Sequence, residues 1–216
     1  PYDVVIWSSP QDSPGYIGAS GAITTYLSAG GRLLLSGQDI AFWDSGGSGI
    51  TFAPYLRDYL KARLVQDDAS ARVLEGQGIF AGLTISIAGE GGANNQIYPD
   101  VIEPTTQDDV NSAWIYLGDG SGGQTVGGCL PYRALFFSFG LEGIASSQAR
   151  RQVIQRSIEW LDAPPAQVGV SLSNGQALRI SAPGSSITHT LRLRNTSQIA
   201  TDTLALSLVP GTWPTA

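Results

Sequence analysis

Apolar residues arrive in short runs separated by glycine- and serine-rich turns, and the spacing inside each run predicts its element. Val4-Val5-Ile6-Trp7 is continuous and closes on Ser8, Ser9 and Pro10, the pattern of a buried parallel strand opening into a loop. From about residue 17 to 29, Ile17, Ile23, Tyr26 and Leu27 recur at helical spacing, and Gly30-Gly31 follows as a C-cap signature. Arg32-Leu33-Leu34-Leu35-Ser36 reads as the next strand, so the opening is a strand–helix–strand unit with both strands parallel in one sheet.

Glycine and serine then mark residues 42–49 as a loop, and Tyr55, Leu56, Tyr59 and Leu60 share one stripe of a helix expected over 52–63. Over 64–102 the pattern changes to short strands, 72–74 and 83–87, with a loop at 89–95, as in a β-rich extension. Strands are expected at 113–117, 126–130 and 133–139, with tight turns at Gly118-Asp119-Gly120 and Pro131-Tyr132. Residues 146–161 form an amphipathic helix, capped by Ser146 or Ser147, with Val153, Ile154, Ile158 and Leu161 facing inward.

Pro164-Pro165 marks a boundary between a domain over 1–163 and a second over 164–216. In the second, residues 168–172, 177–180, 187–194 and 203–209 alternate apolar and polar side chains at period two. That makes about four strands of a β module, fewer than the roughly seven of an immunoglobulin-like sandwich.

Composition narrows the partners. The formal charge over 216 residues is −6 and Lys61 is the one lysine. Basic residues are scattered apart from Arg150, Arg151 and Arg156, so neither nucleic acid nor an anionic membrane is expected as a partner. No apolar run approaches the roughly 18–20 residues that span a bilayer. Low lysine, 27 glycines and abundant serine and threonine suit an extracellular or cell-surface bacterial protein. The chain starts at Pro1 and has no methionine, so upstream residues, including any signal peptide, are expected to have been removed.

The segments YDVVIW, YLSAGGRLLLSGQDI and YRALFFSFGLEGI, with the helix to Trp160-Leu161, resemble the class I glutamine amidotransferase-like superfamily over residues 2–162. The likeness is closest to non-catalytic members within large exported bacterial proteins. It implies a three-layer, doubly wound, mostly parallel α/β sheet of flavodoxin-like type with helices on both faces. Catalytic members carry a G-x-C-x-G elbow and a His-x-Glu pair. Here Cys129 lies in VGGCLP, which leads into a strand, and the single histidine, His189, falls in the second domain. The resemblance therefore carries the fold and not the activity. APGSSITHTLRLRNTS and TDTLALSLVPGTW are similar to immunoglobulin-like modules attached to bacterial secreted glycosidases, which implies a partial β-sandwich, cut off at its C-terminus.

Ligands of open α/β sheets sit past the carboxyl ends of the strands, which makes Ser36, Gln38 and Asp39 candidates. Gln38 and Asp39 offer hydrogen bonds to a polar ligand, or else Asp39 caps a turn and Gln38 faces water. Ser36 lacks the flanking glycines of a nucleophile elbow and has no histidine in its domain. Asp39 and Glu142 form a candidate carboxylate pair, with Trp43 as a sugar-stacking surface or a plain loop anchor. The loops after Asp44 and Asp119 supply one carboxylate each, short of calcium's six to eight oxygens, and read as flexible turns. No metal or cofactor is expected.

The function expected is a non-enzymatic accessory or interaction domain whose partners are other domains of the same polypeptide. The second reading is carbohydrate binding or carboxylate-based glycoside processing, with a saccharide as ligand.

Overall fold

The computed structural model describes residues 2–10, 12–46, 52–106, 108–128, 130–163, 170–174 and 191–195. The chain divides into two compact units, Pro1–Pro164 and Pro165–Ala216.

The first unit opens as the expected strand–helix–strand unit, although its first strand is not buried: Ile6 is 43% exposed. Strand β1 (Val5–Ser8) pairs parallel with β2 (Arg32–Ser36), Val5 opposite Leu33 and Ser8 opposite Ser36, with helix α1 (Ser20–Ser28) between them. On its other side β2 pairs parallel with Arg133–Phe137, the ninth strand in chain order (β9). Both faces of β2 are covered: Leu33 and Leu35 pack into a cluster with Ile23 and Leu27 of α1, while Leu34 joins Leu135, Phe137, Val153 and Leu161 in a second cluster. A strand buried on both faces has no polar side to show, which is why it reads as an unbroken leucine run.

The rest of the unit is antiparallel. Helices α2 (Ile40–Asp44) and α3 (Pro54–Asp58) have five residues each. Strands β3 (Ala62–Gln66), β4 (Val73–Gly76), β5 (Thr84–Ser86), β6 (Val101–Pro104), β7 (Val110–Tyr116) and β8 (Ser121–Val126) follow before β9. The sheet runs β1-β2-β9-β8-β7-β4-β5, with β6 pairing both β8 and β3.

This corrects the expected three-layer, doubly wound α/β architecture and its flavodoxin-like description: the sheet is mixed and strongly curled, a half-barrel with few helices. The reason is in the connections. A parallel pair needs a crossover of a dozen or more residues, and the links around β7, β8 and β9 are too short, so the chain turns back on itself. Register shifts in β7, between Ser112 and Trp114 and again at Ile115, add curl.

Two other expectations move. The helix expected over 52–63 ends at Asp58; Lys61 adopts left-handed backbone at φ 57° and the chain re-emerges as β3. The strand expected at 126–130 lies instead at Ser121–Val126, inside what reads as a glycine turn. Gly122 is required there, because a Cβ would come within 2.7 Å of the Tyr116 ring.

Helix α4 (Ser147–Asp162) is capped by Ser146, whose Oγ accepts the Ala149 amide at 3.2 Å. Its inward face is Val153, Ser157 and Leu161, with Ile158 41% exposed. Ser157 tolerates burial because its Oγ donates to the Val153 carbonyl at 2.7 Å. Against the face of the sheet that α4 covers, Phe80 stacks on Trp114 at 4.8 Å and Phe137 on Phe139 at 5.5 Å, all four fully buried. Each such side chain contributes about 1.5–3 kcal/mol on burial. Among the described residues no helix is long and apolar enough to cross a membrane.

In the second unit β10 (Val170–Asn174) and β11 (Leu191–Asn195) form an antiparallel two-stranded sheet, Leu172 opposite Leu193. Among the described residues there is this ladder and not the expected immunoglobulin-like sandwich. The strands expected at 177–180 and 203–209, and His189, lie outside the described residues.

Candidate functional site

Ser36, at the end of β2, is fully buried. Its Oγ donates to the Phe139 carbonyl at 2.8 Å and accepts the Leu141 amide at 2.9 Å, so both functions of the hydroxyl serve to fix the turn after β9. Gly37 then passes close to the end of β1, where a Cβ would lie 2.2 Å from the Ser9 carbonyl oxygen. Gln38 is similarly committed. Its Nε2 donates to the Asn95 carbonyl at 2.8 Å and the Pro10 carbonyl at 3.3 Å, and its Oε1 accepts the Ile97 and Tyr98 amides at 2.7 and 3.1 Å.

Glu142 meets the same loop from the other side of Asn95. Oε1 accepts from Asn95 Nδ2 at 3.3 Å and Gln96 Nε2 at 3.0 Å, and Oε2 accepts the Ser8 hydroxyl at 3.0 Å. The structure thus brings Ser36, Gln38 and Glu142 around the loops at 95–98 and 139–142, where Ser36 and Gln38 hold backbone in place and Glu142 ties the Asn95, Gln96 and Ser8 side chains together.

Asp39 has different neighbours. It occupies the N-cap position of α2 in left-handed backbone, φ 62°, and makes no capping bond. The cap comes from Asp100, whose Oδ2 accepts the Ala41 and Phe42 amides at 2.9 and 3.1 Å. Asp100 precedes β6 and Asp67 follows β3; because Gln66 pairs with Val101 in that ladder, residues 67 and 100 fall beside one another at its end. One carboxylate oxygen from each of Asp39, Asp67 and Asp100 lies within 4.8 Å of the others.

Burial dominates the electrostatics of this cluster. Asp100 is fully buried, which pushes its carboxyl well above the ordinary range; the Phe42 and Ala41 amides oppose that shift, and the charges of Asp39 and Asp67 add to it. Burial, then the charges of Asp67 and Asp68, raises Asp39 to about 6. The fold resists full ionisation here, which marks the cluster as a functional candidate. Sequence reasoning singles out Asp39 alone, because the three acids come from separate segments and meet only through the β3–β6 register. The carboxylates of the candidate pair have different neighbours: Glu142 accepts from Asn95, Gln96 and Ser8, whereas Asp39 faces Asp67 and Asp100.

Trp43 lies one turn on in α2, its amide donating to the Asp39 carbonyl at 3.0 Å. Its ring is 6.2 Å from that of Tyr16, inclined at 46°, and Tyr16 is 61% exposed. Asp44, expected in a flexible turn, is instead buried and accepts from Ser13 Oγ at 2.5 Å, the Gly15 amide at 2.9 Å and Tyr55 OH at 2.6 Å. Asp119 accepts the Ser70 and Ala71 amides at 2.7 and 3.2 Å and, chiefly through Ser70, has its carboxyl held below the ordinary range. Both acids anchor loops.

Cys129 lies outside the described residues, as does His189. No protein-family model matches the chain, and no match is found among curated proteins.

Proposed function

We propose that this chain is a non-enzymatic accessory and interaction domain of a larger exported bacterial protein, working with other domains of the same polypeptide. One observation carries the reading: Ser36, Gln38 and Glu142, three of the polar side chains that the sequence singles out, are consumed by the fold. Ser36 gives its proton to a backbone carbonyl rather than to a base. Gln38 and Glu142 spend their polar atoms on the loop at 95–98 and its neighbours. A nucleophile needs an adjacent base and a site for the developing charge, and among the described residues neither is assembled around Ser36. The exported setting rests on composition.

The test has two arms. Incubation with glutamine, p-nitrophenyl esters, peptides and p-nitrophenyl glycosides should give turnover equal to the protein-free background. Turnover lost on Ser36→Ala, Cys129→Ala or Asp39→Asn overturns the non-enzymatic reading. Co-purification with segments encoded on either side in the same reading frame should recover a complex, and failure with all of them removes the interaction role.

A second reading, saccharide binding, is favoured by the Tyr16–Trp43 pair beside Asp39. The rings are too steeply inclined for one flat platform, so a sugar would stack on a single face. A glycan panel in which Trp43→Ala abolishes binding would establish it, and a flat panel would end it.

A further inference from the structure

We propose that Asp39, Asp67 and Asp100 form a binding site for a single calcium ion at the end of the β3–β6 ladder. The inference goes beyond the accessory-domain reading and does not depend on it. Two oxygens bound to one calcium at about 2.4 Å are at most about 4.8 Å apart. The three carboxylates meet that limit, each with one oxygen within 4.8 Å of the others.

Asp100 supplies an independent observation. It is fully buried, and while Oδ2 is satisfied by two backbone amides, Oδ1 has no hydrogen-bond partner. A buried acceptor left unpaired costs folding free energy unless something electropositive meets it. No cation among the described residues does so. The ion pairs formed there engage Asp162, Asp58, Glu103 and Asp68, and none of the three clustered acids. Arg72 is occupied elsewhere: its guanidinium binds Asp68 at 2.7 Å and the Gln96 and Ile97 carbonyls at 3.1 and 2.8 Å.

The donor set selects the metal. Carboxylate oxygens with no imidazole or thiolate suit hard cations rather than zinc or copper. Magnesium demands a near-ideal octahedron with bonds of about 2.0–2.1 Å and gives up its waters reluctantly, whereas calcium accepts a flexible, irregular set of six to eight oxygens, which suits carboxylates drawn from three separate segments. Asp67 is exposed and Asp39 only partly buried, so water can complete the six to eight ligands that calcium takes.

The experiment uses the full chain. After EGTA treatment and desalting, CaCl2 is titrated calorimetrically, and terbium is added in parallel as a luminescent probe excited through tryptophan, Trp43 being one helical turn from Asp39. The expected result is one calcium per chain. Saturation at about ten times Kd should raise Tm by roughly 3–6 °C.

Asp67→Asn, at an exposed position, and Asp39→Asn should each weaken calcium binding at least tenfold and reduce terbium emission several-fold. Asp58→Asn, which removes an acid paired with Arg57, should change neither. Circular dichroism checks that each variant is folded. No binding up to 10-fold above about 1 mM, the weak end of known calcium modules, overturns the site. Undiminished binding in Asp67→Asn and Asp39→Asn, equal losses in Asp58→Asn, or magnesium binding without calcium binding would each overturn it as well.

Discussion

Asp100 performs for helix α2 the task that Asp39, the residue at that helix's N-cap, leaves undone. Its Oδ2 takes the Ala41 and Phe42 amides from 59 and 58 residues away, while Asp39 sits in left-handed backbone without a capping bond. Short-range caps usually come from the N-cap residue itself. Handing the role to a strand-end acid couples α2 to β6 and leaves the Asp39 carboxylate free of the helix, facing two other acids across a few ångströms.

That arrangement predicts a pH dependence, best measured with chelator present so that the carboxylates are metal-free. Asp39 holds its proton more tightly in the folded chain, up to about 6, than at the ordinary value of 3.8. Between those values the folded state binds more protons than the unfolded state, so stability falls as pH rises. The contribution is complete below pH 3.8 and lost as pH climbs through about 6. Asp39→Asn does not titrate. Calorimetric Tm of the variant minus that of the parent should therefore grow from pH 4 to pH 7 and then level off; a constant difference, or one that shrinks, contradicts the assignment.

How legible this is depends on range. Strand β2 can be bounded to the residue because a strand buried on both faces is apolar throughout, and α4 to within one residue at each end because Ser146 and the 3.6-residue period agree. Elements held by distant partners are hidden. Helix α2, capped by Asp100, runs into the loop expected at 42–49, and SGGQTV reads as a turn because Gly122 answers to Leu74 and Tyr116, which composition does not reveal. The large difference in fold has the same origin: three parallel strands suggest a doubly wound sheet, and only the pairing of 62–126 shows that the sheet continues antiparallel and curls. Of the candidate site, Asp39 is visible on its own, while Asp67 and Asp100 join it through a register.

Gln38 is a clamp, and cutting it should loosen a defined segment. Gln38→Ala removes the acceptor for the Ile97 and Tyr98 amides and the donor to the Asn95 carbonyl. Amide hydrogen exchange at Ile97 and Tyr98 should accelerate at least about tenfold, the equivalent of about 1.4 kcal/mol of local opening, while the β2–β9 amides stay protected. Equal acceleration in both places would show a global loss of stability instead.

Two glycine substitutions should act in opposite directions. Gly76 ends β4 where a Cβ would stand 2.1 Å from the Phe80 carbonyl oxygen, so Gly76→Ala forces backbone apart and should cost about 1–3 kcal/mol. Gly21 lies in α1, where the place a methyl group would take is open to 4 Å, so Gly21→Ala should gain about 0.5–1 kcal/mol from helix propensity. Urea midpoints measure both, and the same sign for the two would refute the packing argument.

Ser36→Ala separates a structural hydroxyl from a catalytic one. In the buried parent site Oγ both donates to the Phe139 carbonyl and accepts the Leu141 amide, and the alanine methyl can do neither. Each backbone group left unpaired costs about 1–3 kcal/mol, because no water replaces the lost partner in a site without exposure. The loss should appear in the urea midpoint with an unchanged m-value, since the surface exposed on unfolding stays the same. It should also appear as faster exchange of the Leu141 amide, which the lost acceptor protected. A variant as stable as the parent that nevertheless fails in a reaction the parent performs would make Ser36 a reacting group and overturn its role as the tie between β2 and the turn after β9.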